Sequence, residues 1–210
     1  MRYGPIMGTD HRFAVRTAIL VAVFASFAVA SAFAQQRPAQ PAQPAPQAPP
    51  AQAAAPRPLG TFDGWRAFEA GAANAKTCYV TARPARSESR PANAQRGDVS
   101  LVIAHHQNPR RNDEFTMNLG YPARDGGEIE IGRAKVALST LAQANAQSVW
   151  AREADGDRQI VAALRGAAAN ANATVRGTSG RGTETVDTFA LAGFQRALAE
   201  IDRACGVRRQ

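Results

Sequence analysis

Only two cysteines, Cys78 and Cys205, occur in 210 residues, and no C-x-x-C pair is among them. That excludes the close dithiol of a thiol–disulfide catalyst. Histidine is almost as scarce, with three residues, of which His105 and His106 are adjacent. Neighbours in a strand face opposite sides, so these two cannot chelate one metal together; one packs on the core and the other faces solvent. After residue 34 no run is apolar enough to span a bilayer. A basic stripe interleaved with aromatics is also missing. The formal net charge is +8, but Arg2, Arg12, Arg16, Arg37 and Arg57 precede the domain. Within it, Arg110 and Arg111 are followed by Asp113 and Glu114, and only the tail "GVRRQ" is a basic run. Nucleic-acid binding is not expected on that pattern.

What is present begins with an address. Arg12 and Arg16 precede "TAILVAVFASFAVASAFA", whose apolar core, 18–30, is short for a membrane span, and Ala32 and Ala34 stand at −3 and −1 of a cleavage site. Residues 1–34 read as a secretory signal peptide. Residues 35–58, dominated by Pro, Ala and Gln, read as a semi-stiff extended spacer. Residues 59–210 then form one domain, large enough for a hydrophobic core. The mature protein is expected in the periplasm, or secreted to the cell surface, with no stable membrane span. In such an oxidising compartment Cys78 and Cys205 are expected to form a disulfide, within one chain or between two. Closing a loop of more than a hundred residues contributes up to ~5 kcal/mol by chain entropy.

Alternation of apolar and polar residues dominates the domain. "FTMNLGY" points Phe115, Met117, Leu119 and Tyr121 one way. "DVSLVIAHH" is apolar on both faces, as an interior strand is, and "EIEIGRAKVALST" alternates around a break at Gly132. "DGWRAFEA", "TCYVTARP" and "SVWARE" read as further strands, Trp65 and Trp150 as core residues, and 84–97 as an exposed, mobile loop. Two stretches have helical spacing instead. "DRQIVAALRG" gathers Ile160, Val161 and Leu164, with Gly166 suited to its C-terminal cap. "GFQRALAEIDRAC" aligns Phe194, Ala197, Leu198, Ile201 and Cys205 as an amphipathic stripe ending in the second cysteine.

"RGTSGRGTETVDTFAL" (176–191) holds three glycines and five hydroxyls, and it fails each catalytic pattern it suggests. A phosphate cradle needs G-x-x-x-x-G-K-[ST], and no Lys follows. A nucleophile elbow needs G-x-S-x-G, and Arg181 stands in the way of it. No His follows Ser179, and a His106…Asp…Ser179 order has no local support. A tight turn at Gly180 and Gly182, joining two strands of a hairpin, accounts for the stretch, with Arg181 and Asp187 expected to pair beside it. "EADGD" (153–157) lacks the D-x-D-x-D-G order of a calcium loop. It reads as a turn whose Asp155 or Asp157 meets the dipole at a helix start. No catalytic, cofactor-binding or metal-ligating residue is expected.

Gly64-Trp65, Cys78-Tyr79 with Arg83-Pro84, Asn112 to Glu114, Gly120-Tyr121-Pro122 and Val149-Trp150 together resemble the invasion-associated locus B family of exported alphaproteobacterial proteins. The block "RGTSGRGTETVDTFALAGFQRAL" and the cysteine of "IDRAC" carry the resemblance furthest; it runs over about 61–205. It implies a mainly β fold, an immunoglobulin-like β-sandwich with a short internal helix and a C-terminal amphipathic helix, which the alternating strands suggest independently. It implies a periplasmic or surface location and, in one branch, a link to entry into host cells. Better-known members carry a cysteine a few residues after the tryptophan, whereas Trp65 is followed by "RAFEA"; the chain resembles a divergent branch. The family lends no catalytic residues.

The reading that follows is an exported protein acting by binding an envelope or host partner, not an enzyme and without cofactor. Two alternatives stand beside it: an envelope enzyme or small-ligand carrier with a dispersed site, and a tethered structural component of the envelope. Partner and oligomeric state are not legible in the sequence.

Overall fold

The computed structural model describes residues 55–140, 146–153 and 155–209; the expected signal peptide and most of the expected spacer lie outside them. Eleven strands and two helices follow in the order β1 (Arg57–Phe62), β2 (Trp65–Ala70), β3 (Thr77–Ala82), β4 (Arg86–Arg90), β5 (Ser100–Gln107), β6 (Arg110–Asn118), β7 (Ala123–Ile131), β8 (Ala134–Thr140), β9 (Ser148–Ala151), α1 (Gly156–Gly166), β10 (Asn172–Ser179), β11 (Glu184–Ala190) and α2 (Phe194–Cys205). The mainly β expectation with an internal and a C-terminal helix is met.

All the strands pair antiparallel in one ladder, ordered β1-β2-β3-β5-β6-β9-β8-β7-β10-β11-β4. An immunoglobulin sandwich is instead defined by two separately hydrogen-bonded sheets. Three residues, Arg83 to Ala85, carry the chain from β3, third in the order, to β4 at the far edge. So short a link requires the sheet to curl back on itself. The alternation read from sequence supplies the inner face: Trp65 and Ala67, Cys78 and Val80, Leu101 and Ile103, Phe115 and Met117, Ile129 and Ile131, Val136 and Leu138 are all buried.

The helices close that face. α1 presents Ile160, Val161 and Leu164 to β6–β9, and α2 presents its whole expected stripe to β1, β2, β3 and β5. Trp65 anchors α2, with its ring edge-on to Phe194 at 4.8 Å and its indole N–H donating to the carbonyl of Ala190 at 3.0 Å. Beyond α2, Gly206 takes the left-handed conformation, and the amides of Gly206 and Val207 return to the carbonyls of Arg203 and Asp202. This glycine cap turns the tail back along the helix.

Two expectations need correction. The stretch 84–97 is not all loop, because 86–90 form β4 and pair with β11. "RSESR" is polar and exposed, as an edge strand is when it must not recruit another chain, and that polarity hides it among loops. Trp150 is half-buried and lies off the core, because its neighbour Val149 takes the inward position in β9.

Candidate functional site

β10 and β11 form the hairpin expected for 176–191. Gly182 has φ +87°, and its amide and that of Ser179 bond across the turn, to Ser179 O and Thr183 O. Ser179 Oγ accepts from the amide of Thr183 at 3.1 Å, which locks the turn. The segment Gly120-Tyr121-Pro122, leaving β6, comes beside it: Gly180 N donates to Pro122 O at 2.9 Å. Gly120 has φ +73°, and a Cβ there would lie 2.5 Å from Gly97 O, so only glycine permits 97 and 120 to approach this closely. A cleft of about 600 Å³ lies between these segments, with Arg96, Tyr121, Ser179, Arg181, Thr183 and Thr185 on its walls.

Its floor is an internal polar network. Asp187, on the same face of β11 as Phe189, has no exposed surface. Arg96 donates to both its oxygens, at 2.9 Å to Oδ2 and also to Oδ1, and Ser87 Oγ donates to Oδ1 at 2.7 Å. A buried carboxylate without such partners would be prohibitively costly. The hydrogen bond to Asp187 is the chief reason the Arg96 guanidinium holds its proton more firmly than usual. Tyr121 Oη and Thr185 Oγ1 hydrogen-bond at 2.6 Å, and burial pushes the Tyr121 phenol up. Gly177 makes room for that hydroxyl, since a Cβ there would come within 2.6 Å of it.

The expected pair of Arg181 with Asp187 is therefore wrong. Asp187 points inward to Arg96, while Arg181 sits exposed on the turn. A strand's alternation places a side chain on a face, but its partner on that face came from 91 positions away in sequence. Arg96 left no local signal in "ANAQRGD".

Cys78 and Cys205 are joined in one chain, their Cα atoms 6.0 Å apart, stapling α2 to β3. Beside the disulfide lies a second network. His105, paired with Cys78 across the strands, is buried, and His106 is half-buried on the opposite face, as alternation requires. The amide of Asp113 donates to His105 Nδ1 at 3.1 Å, so the ring proton belongs on Nε2, 2.9 Å from Asp202 Oδ1. Arg209, brought back by the Gly206 cap, donates to both Asp113 and Asp202. Burial alone would raise the Asp202 carboxyl, but hydrogen bonds from His105 and Arg209 overcome it and hold it below the usual range. Asp202 and Arg209 also edge a groove of about 770 Å³ between α1 and α2. Their charges already answer each other.

His106 and Ser179 are not partners. His106 Nδ1 hydrogen-bonds Thr77 Oγ1 at 3.1 Å and Ser179 is bound into its own turn. In "EADGD", Asp157 enters the first turn of α1 and burial pushes its carboxyl up, while Asp155 accepts from Gln159 at 2.7 Å. Among the described residues no three His, Cys, Asp or Glu side chains are grouped to hold a metal ion, and no helix is long and apolar enough to cross a membrane.

No curated protein and no solved structure matches the chain. The description "Invasion associated locus B (IalB) protein" belongs to a family model that matches residues 65–202. That span runs from the tryptophan anchoring α2 to the aspartate bonding His105, and it includes both walls of the cleft. The chain belongs to the invasion associated locus B family.

Proposed function

We propose that this is an exported protein of the bacterial envelope that acts by binding a partner, in a role related to host entry or to the envelope itself, and that it is not an enzyme. Family membership supports the setting, as do the signal-like N-terminus and the disulfide. The cleft between Gly120–Pro122 and the Ser179–Thr185 turn is the proposed contact site. One observation carries the reading. The cleft's buried polar groups satisfy one another, Arg96 with Asp187 and Tyr121 with Thr185, and so hold shape rather than presenting a free base beside a nucleophile.

The test is capture from envelope extract by the oxidised chain, compared with Gly180→Phe. Gly180 is exposed, and a Cβ on it would meet only Pro122 O at 3.8 Å, so the phenyl group obstructs the cleft without disturbing the turn. A reproducible partner lost in the variant is the expected result. Equal capture by both chains would overturn the cleft as the contact site, and turnover of an envelope substrate would overturn the non-enzymatic reading.

A further inference from the structure

Arg124, at the start of β7, lies against the hairpin turn: a Cβ on Gly182 would come 3.0 Å from its guanidinium. Arg181 is two residues from Ser179 on the same turn and lines the cleft. Both are exposed, and among the described residues no carboxylate pairs with either. Of the acids nearby, Asp187 belongs to Arg96 and Asp98 to Arg83, while Asp125 and Glu184 are exposed and do not line the cleft. Two guanidiniums without a carboxylate partner thus flank the turn that forms one side of the cleft, Arg181 on the cleft's lining and Arg124 against Gly182.

The hydroxyls beside them are donors in surplus. Ser179 Oγ spends an acceptor site on the amide of Thr183 and keeps its O–H to give; Thr183 Oγ1 stands on the same wall. No carboxylate faces the cleft. Planar guanidiniums beside hydroxyl donors on one turn suit the oxygens of a phosphate group in charge and hydrogen-bonding character.

We propose that this cleft binds a phosphoryl group, free or carried on a larger envelope molecule, through Arg124, Arg181, Ser179 and Thr183. This deepens, and rests on, the reading of the cleft as the contact site. The phosphate sits against the turn, with the two arginines on its outer oxygens and the hydroxyls on its inner ones.

The experiment is an amide chemical-shift titration of the oxidised chain with inorganic phosphate, against sodium chloride at matched ionic strength. Glucose 6-phosphate and phosphatidylglycerol vesicles, with phosphatidylcholine vesicles as control, distinguish the source of the phosphoryl group. Saturable shifts confined to 94–97, 120–124 and 179–185 are expected, with Kd of about 1 mM for a single small anion. Arg124→Gln/Arg181→Gln should weaken binding at least about tenfold, a loss near 1.4 kcal/mol. Arg133→Gln, at the exposed β7–β8 turn, should leave it unchanged. Non-saturating shifts, or equal binding by the double variant with an unaltered melting temperature, overturn the proposal. If capture of a partner is abolished by Gly180→Phe while phosphate fails to bind, the contact site stands and only the phosphoryl assignment falls.

Discussion

Asp187 and Arg96 form a two-pronged ion pair across 91 residues of chain, with the aspartate fully buried and the arginine side chain 12% exposed. The pair ties the segment before β5 to the inner face of β11 and sets the floor of the cleft. Removing the cation while leaving the anion buried is the costly way to break it. Arg96→Met should destabilise by about 3–5 kcal/mol. Arg96→Met/Asp187→Leu, which removes both charges, should recover part of that loss, because hydrophobic replacement of a buried pair is often neutral. Urea unfolding of the two single variants and the double one checks the coupling. Additive losses would mean that the pair does not act as a unit.

The Cys78–Cys205 bond constrains the unfolded chain and also holds α2 on β3. Cys78→Ala/Cys205→Ala should therefore cost about 2–5 kcal/mol. It should also loosen α2 more than the β7–β8 hairpin, which has its own ladder. Hydrogen exchange on the oxidised and variant chains reads that difference directly: uniform loss of protection would contradict a local staple.

The stripe from Phe194 to Cys205 and the alternation in β6, β7 and β11 were legible because burial imposes periods of 3.6 and 2. The hairpin was legible because Gly180, Gly182 and the flanking hydroxyls of Ser179 and Thr183 write turn chemistry locally. β4 was not, since an exposed edge strand of Arg, Ser and Glu carries no apolar period. The cleft was half legible. Its turn and its Gly120-Tyr121-Pro122 wall stand out in sequence, but Arg96 and Arg124 reach them only through the tertiary fold. One clue was available: Asp187 shares the face of Phe189, and an acid on a buried face must find a cation.

Asp202 makes the protein's stability depend on pH in a definite direction. Its carboxyl is held below its ordinary value in the folded state. The stabilisation it contributes is therefore fully present above the unfolded value, near ~3.9, and is lost as pH falls through the folded one. Asp202→Asn leaves Arg209 and His105 without that charge and should cost about 2 kcal/mol at pH 7, the scale of a charge-assisted hydrogen bond. The gap between wild type and variant should narrow below pH 4. Melting curves from pH 7 to pH 2 test it, and a constant gap would show that the carboxylate's charge is not what matters.

Gly177 gives the last test, because it separates packing from charge in the cleft. Its backbone has no positive φ, so alanine is conformationally permitted there; the obstacle is that the added methyl would meet Tyr121 Oη at 2.6 Å and Leu119 Cδ1 at 3.2 Å. Tyr121 is buried and bonded to Thr185 at 2.6 Å, so it cannot yield without surrendering that bond or moving the Gly120–Pro122 wall. Gly177→Ala should cost about 1–3 kcal/mol, the usual penalty of overpacking. Tyr121→Phe removes the phenol oxygen and leaves room for the methyl, at the loss of one hydrogen bond. Gly177→Ala/Tyr121→Phe should therefore be more stable than Gly177→Ala alone. If the double variant is instead less stable by the sum of the two single losses, Gly177 does not serve to accommodate the tyrosine hydroxyl.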